Sequence, residues 1–500
     1  MAPFIFDDDR QSMRLNSADA PDSPESAPAG DAPQQETPAS ATALPSSQPQ
    51  PPAAQPPSLA AETARDRAED ISIALEWKLL YPLLLRGHPD PRPEDPRPIA
   101  FEPCITSSSS ESTSTASPSA SSPTISSSSA PDEASINHDH DHDQDSHERA
   151  RLEQVHTHVA STILSIPDEH AVTLHALRRE GGEEKDVWAT SWVVKRANSA
   201  EPLEQEGKVP GYVWVPVEVC SPRMRFGEAR TRARMRDVLG ALQAGHRLVA
   251  NASCEVHVHL GRMDGRAWGL GTLKRLASVL WLAEPTLRRI RDPRSPNFGN
   301  VYTWGFAMRE QSRLAMLVGK DAAAMCATLE EASMAITDDQ IAEAVRAQPA
   351  AAPKEVAALA AIWRTTSHLE LGRLLSGPEK KYRRLGFNFS AFGEEDERAR
   401  RNPRTMEFRI MDGSVDTELI VSWLAICGTI VETAVAEGDP RFGAALSLLL
   451  GRTAERTPPG DTEAETVGVR LGREFAELMQ ALEIGEEHYR GFQDKIRREH

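Results

Sequence analysis

The chain is poor in the features that mark several whole classes of protein. Its five cysteines (Cys104, Cys220, Cys254, Cys326 and Cys427) are odd in number, widely spaced and without a CxxC pair. That argues against a disulfide framework and fits a reducing compartment. The longest apolar run, Leu419 to Val431, stops at Glu432 and falls short of the roughly 20 residues a membrane span needs. It reads as a buried helix. The N-terminal Met-Ala-Pro-Phe-Ile-Phe-Asp-Asp-Asp-Arg lacks the basic start and the apolar stretch of a signal peptide. Basic charge is in deficit: 56 Lys and Arg against 74 Asp and Glu leave a formal net charge of −18. Phosphate backbones are bound by Lys and Arg, so nucleic acid is not the expected partner. No internal repeat is visible. The expectation is a cytoplasmic protein with neither membrane nor nucleic acid as a partner.

Composition divides the chain. Residues 1–66 are rich in Pro, Ala, Ser, Gln and acids, with hardly an aromatic or β-branched residue after Phe6. Such a segment buries too little apolar surface to offset the entropy of ordering, and is expected to be a disordered tail. A Ser/Thr/Pro tract ending in a His/Asp run makes 105–147 a second such segment, an insert expected in a surface loop. The His/Asp run at 138–143 reads as solvated or as an adventitious metal binder. About 390 residues remain, enough for one large core or two fused lobes. They read as a domain over 67–436, interrupted by the insert, and a helical extension over 437–500.

Ile71 to Leu80, extended to Leu85, reads as a strand ended by Pro89, Pro91, Pro93 and Pro96. Val172–Leu177, Val187–Lys195, Tyr212–Cys220, Ala252–Leu260, Arg384–Phe392 and Thr405–Met411 also read as strands, from aromatic and β-branched content. Apolar spacing predicts helices over His147–Leu164, Glu228–His246 and Leu270–Ile290, and near 306–318, 321–335, 338–347 and 354–375. Pro285 is expected to kink or split the 270–290 helix. Asp416 is placed as the N-cap of a helix through Leu419, Trp423 and Ile430, with two more helices to follow. Strands that do not alternate regularly with helices point to an α+β fold with a mostly antiparallel sheet.

Four strands carry candidate chemistry. In Asn251-Ala-Ser-Cys-Glu-Val-His-Val-His-Leu-Gly261, strand alternation puts Glu255, His257 and His259 on one face and Val256, Val258 and Leu260 on the other. Adjacent members of the polar row lie about 6.6 Å apart, and its ends about 13 Å apart, so one ion does not touch both Glu255 and His259. An HxH strand also occurs in cupin-type metal sites and on plain solvent faces. In Thr405-Met-Glu-Phe-Arg-Ile-Met-Asp-Gly413, Glu407 and Arg409 share a face. They would form a cross-strand ion pair or, in phosphoryl transfer, a metal carboxylate and a charge-neutralising guanidinium. Glu76, between Leu75 and Trp77, and Glu218, in Val215-Pro-Val-Glu-Val-Cys-Ser-Pro222, are carboxylates in apolar strands. Each implies a metal, a partner or an edge position. Cys220 and Cys254 lie in no Cys/His arrangement and read as small hydrophobes.

In this order the strands resemble the amidoligase family, a branch of the glutamine synthetase and glutamate–cysteine ligase superfamily. Ser72-Ile-Ala-Leu-Glu-Trp77 stands for the family's Gly-Val-Glu-Leu-Glu-Phe. Val217-Glu-Val-Cys-Ser-Pro222 stands for its Val-Glu-Ile-Val-Ser-Pro. Asn251 to Gly261 is similar to its Asn-x-Ser-Cys-Gly-x-His-Val-His-x-Gly segment, and Glu407 to Trp423 to its Glu-Phe-Arg strand, turn and Trp-bearing helix. Lys381 to Ser390 resembles the Tyr/Asn strand before it. The resemblance spans about 71–80 and 150–435.

The resemblance implies a curved, mostly antiparallel sheet with helices packed on one side, as in the glutamine synthetase catalytic fold. It also implies ATP with Mg²⁺ (or Mn²⁺), and carboxylate and amine substrates joined in an amide, isopeptide-type bond through an acyl phosphate. By position, Glu76, Glu218 and Glu407 would be metal ligands. His257 would bind metal or nucleotide phosphate, His259 would contact nucleotide, and Glu407 with Arg409 would be catalytic, Arg409 stabilising the transferring phosphoryl group. Three positions depart from the pattern: Ala74 replaces the first strand's first Glu, Glu255 replaces a Gly, and Arg196-Ala-Asn-Ser199 replaces an Asp-Gly-Ser turn. Glu255, one step along the face from His257, is read as a substitute metal carboxylate. The Ala74 loss keeps a second reading open, a catalytically inactive amidoligase-fold scaffold. A third, a cupin-like metal enzyme, is disfavoured by the Glu-Phe-Arg strand.

Overall fold

Alternation along one long strand organises the structure. In β1 (Ile71–Leu84, 14 residues) Ile71, Ile73, Leu75, Trp77, Leu79, Tyr81 and Leu83 all enter the main hydrophobic core. The intervening Ser72, Ala74, Glu76 and Lys78 are also buried, but against the other face of the sheet. The computed structural model describes residues 66–104, 138–181, 184–294, 307–325, 331, 334–378, 385–393, 404–454 and 466–500. The tail expected over 1–66 lies outside these residues but for Asp66, which is buried and accepts from the Gly269 amide and the Thr272 hydroxyl, and most of the expected insert also lies outside them.

Among the described residues, nine strands form one sheet. β2 is Ala100–Phe101, β3 Ala171–Thr173, β4 Trp192–Lys195, β5 Tyr212–Cys220, β6 Met224–Arg225, β7 Glu255–Arg262, β8 Phe387–Asn388 and β9 Met406–Asp412. The order is β3-β4-β5-β1-β7-β9-β8, with β2 and β6 also paired to β1. All pairs are antiparallel except β1–β2 and β3–β4. The α+β class with a mostly antiparallel sheet is therefore as expected.

Val256, Val258 and Leu260 of β7 and Met406, Phe408 and Ile410 of β9 join the core face of β1. The Thr417–Val435 helix packs across β1 and β7 and is itself packed by the Ala229–Gly245 and Leu270–Leu287 helices. By length and hydropathy it would cross a membrane, yet its apolar side chains, from Ile420 to Val435, are core residues here. Asp416 caps it, its carboxylate accepting from the Leu419 amide at 3.0 Å.

Several expected elements break earlier than periodicity suggests, each at a capping residue or a turn. Val172–Leu177 is strand only to Thr173, whose hydroxyl accepts from the Ala176 amide at 3.4 Å and starts the Leu174–Arg179 helix. Val187–Lys195 divides into a helix, Glu184–Thr190, and β4. Of the strand expected over Arg384–Phe392, Arg384 lies outside the described residues, and the rest holds β8 and then a helical turn at Ser390–Gly393. The 354–375 helix is two, Pro353–Arg364 and His368–Leu374, the second capped by Ser367. Pro285 does not split its helix, because it lies in the last turn of Leu270–Leu287, where only the bond to the Trp281 carbonyl is forfeited. The first long helix begins at His138 rather than His147 and runs to Leu164. Propagating a helix backward from its buried Val155–Ile163 face is easier than nucleating one, so it extends into the low-complexity run. Among the described residues, three helices rather than two follow Val435: Pro440–Ala454, Val467–Ala481 and Glu486–Glu499.

Gly428, buried in the Thr417–Val435 helix, faces the Phe226 ring so closely that an added methyl would overlap it. Gly428→Ala gains about 1 kcal/mol of helix propensity but meets an overpacking cost of about 1–3 kcal/mol. The expected outcome in urea denaturation is no gain or a net loss of stability. A gain approaching the propensity value would show that Phe226 yields freely.

Candidate functional site

The sheet register brings distant polar residues together on the face away from the main core. β1 and β7 place Glu76 opposite His257 and Ala74 opposite His259. β7 and β9 place His259 opposite Glu407, and β8 sets Asn388 opposite Glu407. The β7–β9 ladder shifts by one residue, pairing Val256 with Met411 but Val258 with Phe408. The extra residue in β9 is a bulge of the kind that re-aims side chains, and Arg409 lies within it. Gly261 permits a close approach at the end of β7, since a β-carbon there would lie 2.8 Å from Thr405 Cγ2.

The result is a charged cluster closed off from solvent. Glu76 spans both histidines, with Oε1 3.0 Å from His259 Nε2 and Oε2 3.1 Å from His257 Nδ1. Glu407 Oε1 lies 3.2 Å from His257 Nδ1 and 3.6 Å from His259 Nε2. Its Oε2 accepts from Asn388 Nδ2 at 2.8 Å, and Arg409 Nη1 donates to its Oε1. Arg409 Nη1 is also 3.3 Å from His257 Nδ1. The outer ring nitrogens have partners too: His257 Nε2 is 2.9 Å from Glu255 Oε2, and His259 Nδ1 is 3.1 Å from Thr405 Oγ1. Among the described residues, one atom each of Glu76, His259 and Glu407 lie within 4.8 Å of one another, a group able to hold a metal ion.

The other candidates sit around this group. Glu255 lies on the far side of His257, 3.4 Å from Lys78 Nζ and 3.9 Å from Arg409 Nη2. Glu255 and Ala74 thus stand at opposite ends of the row, and Glu255 is outside the Glu76–His259–Glu407 group. Glu218, on β5 opposite Lys78, pairs with Lys195 at 3.3 Å. Cys220 is a buried free thiol opposite Glu76, and burial pushes its pKa well up, as burial does for Cys254, to about 11. Residue-by-residue reading missed Lys78, although the argument that singled out Glu76, a buried charge in an apolar strand, applies equally two residues on. Lys195 and Thr405 carried no such signal, because only cross-strand register brings them to the site.

The charges hold one another ionised. Burial opposes ionisation of Glu76, but the two histidines outweigh it and keep the carboxyl well below its usual range. For Glu407 burial is outweighed by Arg409 and the histidines. For Glu255 burial is outweighed by Lys78 and His257, which bring it to about 2. Burial, Arg409 and Lys78 all disfavour the His257 imidazolium, yet contact with Glu255 prevails and raises its pKa. The lowered carboxyls contribute stability that is present above about pH 4.5, the unfolded value, and lost as pH falls through the folded values. The raised His257 contributes stability that is complete below about pH 6.5 and lost as pH rises through its folded value. The melting-temperature deficit of His257→Gln is therefore expected to be larger at about pH 5.5 than at about pH 8.5. A deficit independent of pH would show that the ring is neutral throughout.

No curated protein and no solved structure matches the chain. A family model does, over residues 127–314, and its description is "Putative amidoligase enzyme". Glu76, Glu407 and Arg409 lie outside the matched stretch and join its histidines only through the β1 and β9 pairings. The matched stretch bears Glu218, His257 and His259, and it is similar to the same family that the strand motifs resemble.

Proposed function

We propose that this protein is an ATP-dependent carboxylate–amine ligase. The observation that carries the reading is the convergence of Glu76, His257, His259, Glu407 and Arg409, from three strands, on one buried face. Supporting it is the family match, which implies ATP together with carboxylate and amine substrates. A cytoplasmic setting accords with the free cysteines 104, 220, 254 and 427.

A carboxylate is a poor electrophile, and phosphorylation activates it. A substrate carboxylate oxygen attacks the γ-phosphorus of ATP, the bond to the bridging oxygen breaks, and ADP leaves with that electron pair. The amine then attacks the acyl carbon of the acyl phosphate, inorganic phosphate leaves, and the amine gives up a proton to form the amide. The chain's part is positioning and charge neutralisation. Glu76, His259 and Glu407, with His257 beside them, would hold a divalent ion (Mg²⁺ or Mn²⁺), and the donor set of carboxylates and imidazoles fits such an ion. Held there, the ion would supply neutralisation of phosphate charge. Arg409, held by Glu407, would neutralise the negative charge on the transferring phosphoryl group. Asn388 and Thr405 orient Glu407 and His259.

A second reading, an inactive scaffold of the same fold, is favoured by Ala74, which sets a methyl opposite His259 where the related strand has a carboxylate.

The test is ADP release from purified protein with ATP, a divalent ion and pooled carboxylates and amines. Amine-dependent ADP is expected, and Arg409→Lys is expected to lower it by about 100-fold or more, since lysine cannot reproduce the bidentate guanidinium. Nucleotide binding without turnover would instead select the scaffold. Bound zinc or iron with no nucleotide affinity would reject both.

A further inference from the structure

We infer that His156 and His175 form a second metal site, one that takes the soft monovalent ion Cu⁺ between two ring nitrogens. The pair lies on elements other than β1, β7 and β9, and the inference does not rest on the proposed function.

His156 follows Val155 of the main core in the His138–Leu164 helix and is only 5% exposed. His175 lies in the first turn of the Leu174–Arg179 helix, two residues past its Thr173 cap. The two rings are neighbours, with centres 6.0 Å apart and planes inclined at 32°. His156 Nε2 and His175 Nδ1 are both buried, and neither has a hydrogen-bond partner. Folded proteins rarely leave a buried polar atom without a protein group, a water or an ion to meet it. Here two adjacent rings do so.

Each ring is engaged elsewhere. A ring N–H of His156 meets the Pro216 carbonyl of β5. His175 Nε2 lies 3.5 Å from Thr173 Oγ1. These contacts place the protons on His156 Nδ1 and His175 Nε2, and leave the lone pairs on the two unpartnered nitrogens. Backing of this kind fixes the tautomer of a ligating histidine. Burial, His175 and Arg196 also bring the His156 pKa down to about 3, so no proton competes for its lone pair at neutral pH.

Charge and ligand number choose the ion. Both donors are neutral. Arg196 opposes positive charge at His156, and the carboxylate it pairs with, Glu148 at 2.6 Å, is already neutralised by it. Among the described residues, no third His, Cys, Asp or Glu joins the pair in a metal-competent group. Zn²⁺ takes four ligands, and a buried dication here would lack both ligands and compensating charge. Imidazole also suits copper, and Cu⁺ is satisfied by two donors in line. At metal–nitrogen bonds of about 2 Å, two imidazoles on a tetrahedral ion would have centres about 5 Å apart, and on a linear one about 6 Å. The observed 6.0 Å matches the linear spacing. Bound there, the ion would tie the His138–Leu164 helix to the Thr173 corner of β3, the end strand of the sheet.

The test is anaerobic Cu⁺ titration of chelator-stripped full-length protein against the chromophoric chelator bicinchoninate, with X-ray absorption at the copper edge. His138, His140, His142, Cys104 and Cys326 are changed to Ser in the parent, so that these side chains contribute nothing. One equivalent is expected, with the edge of linear two-nitrogen copper. His156→Gln and His175→Gln are each expected to weaken it at least about 10-fold, and to abolish the rise in melting temperature that Cu⁺ gives the parent. Zn²⁺ affinity is expected to be indifferent to both. No Cu⁺ uptake, or uptake unchanged by the substitutions, overturns the inference, as does a Zn²⁺ affinity that falls with them. Should His156→Gln fail to fold by circular dichroism, the less buried His175→Gln decides.

Discussion

Everything in this fold depends on burying a row of ionised side chains against one face of a sheet whose other face is apolar. Glu76, Glu255, Glu407, Lys78, Arg409 and two histidines are all buried. An isolated charge in that setting would cost several kcal/mol. The cost is met only because each carboxylate has a cation or an imidazole within about 2.9–3.9 Å. The pairs cross strands: Glu76 reaches β7, Glu407 reaches β7 and β8, and Glu255 reaches β1 and β9. The network therefore ties together strands from distant parts of the chain, and any slip in register would strand several charges at once.

The apolar face supplies the other half of this constraint. Trp77, Val258 and Phe408 lock their strands against the Thr417–Val435 helix, so Glu76, His257, His259, Glu407 and Arg409 have little freedom to move apart. A site built on strands rather than loops holds its donors in place before any ligand arrives, which suits chemistry done mainly by positioning and electrostatics. The bulge in β9 adds local adjustment, letting Arg409 address Glu407 and His257 at the same time.

Much of this was legible in the residues because the period of two is unambiguous where apolar and polar positions alternate strictly. Tyr212–Cys220 is the strand expected, and the faces of Glu255 to Leu260 and of Met406 to Phe408 are those read from alternation. What was hidden depends on pairing between strands. Nothing local says that Lys78 rather than Ala74 neighbours Glu255, that Lys195 faces Glu218, or that Glu76 bridges two histidines. Short elements were also hidden, since β3 and β8 are cut by a Thr173 cap and a Ser390 turn that outweigh β-branched and aromatic content. The start of the first long helix at His138 escaped composition because helix propagation from a buried segment ignores local complexity.

The central claim is that this charged face is an ion-and-nucleotide site rather than a self-neutralised network. Diffraction from crystals grown with Mn²⁺ and a non-hydrolysable ATP analogue, recorded at the manganese edge, tests it most directly. The account predicts an anomalous peak bound by Glu76, His259 and Glu407, with His257 beside it and the analogue's phosphates beside Arg409. Clear density for this face with its ion pairs intact, and no ion or nucleotide at it, would contradict it.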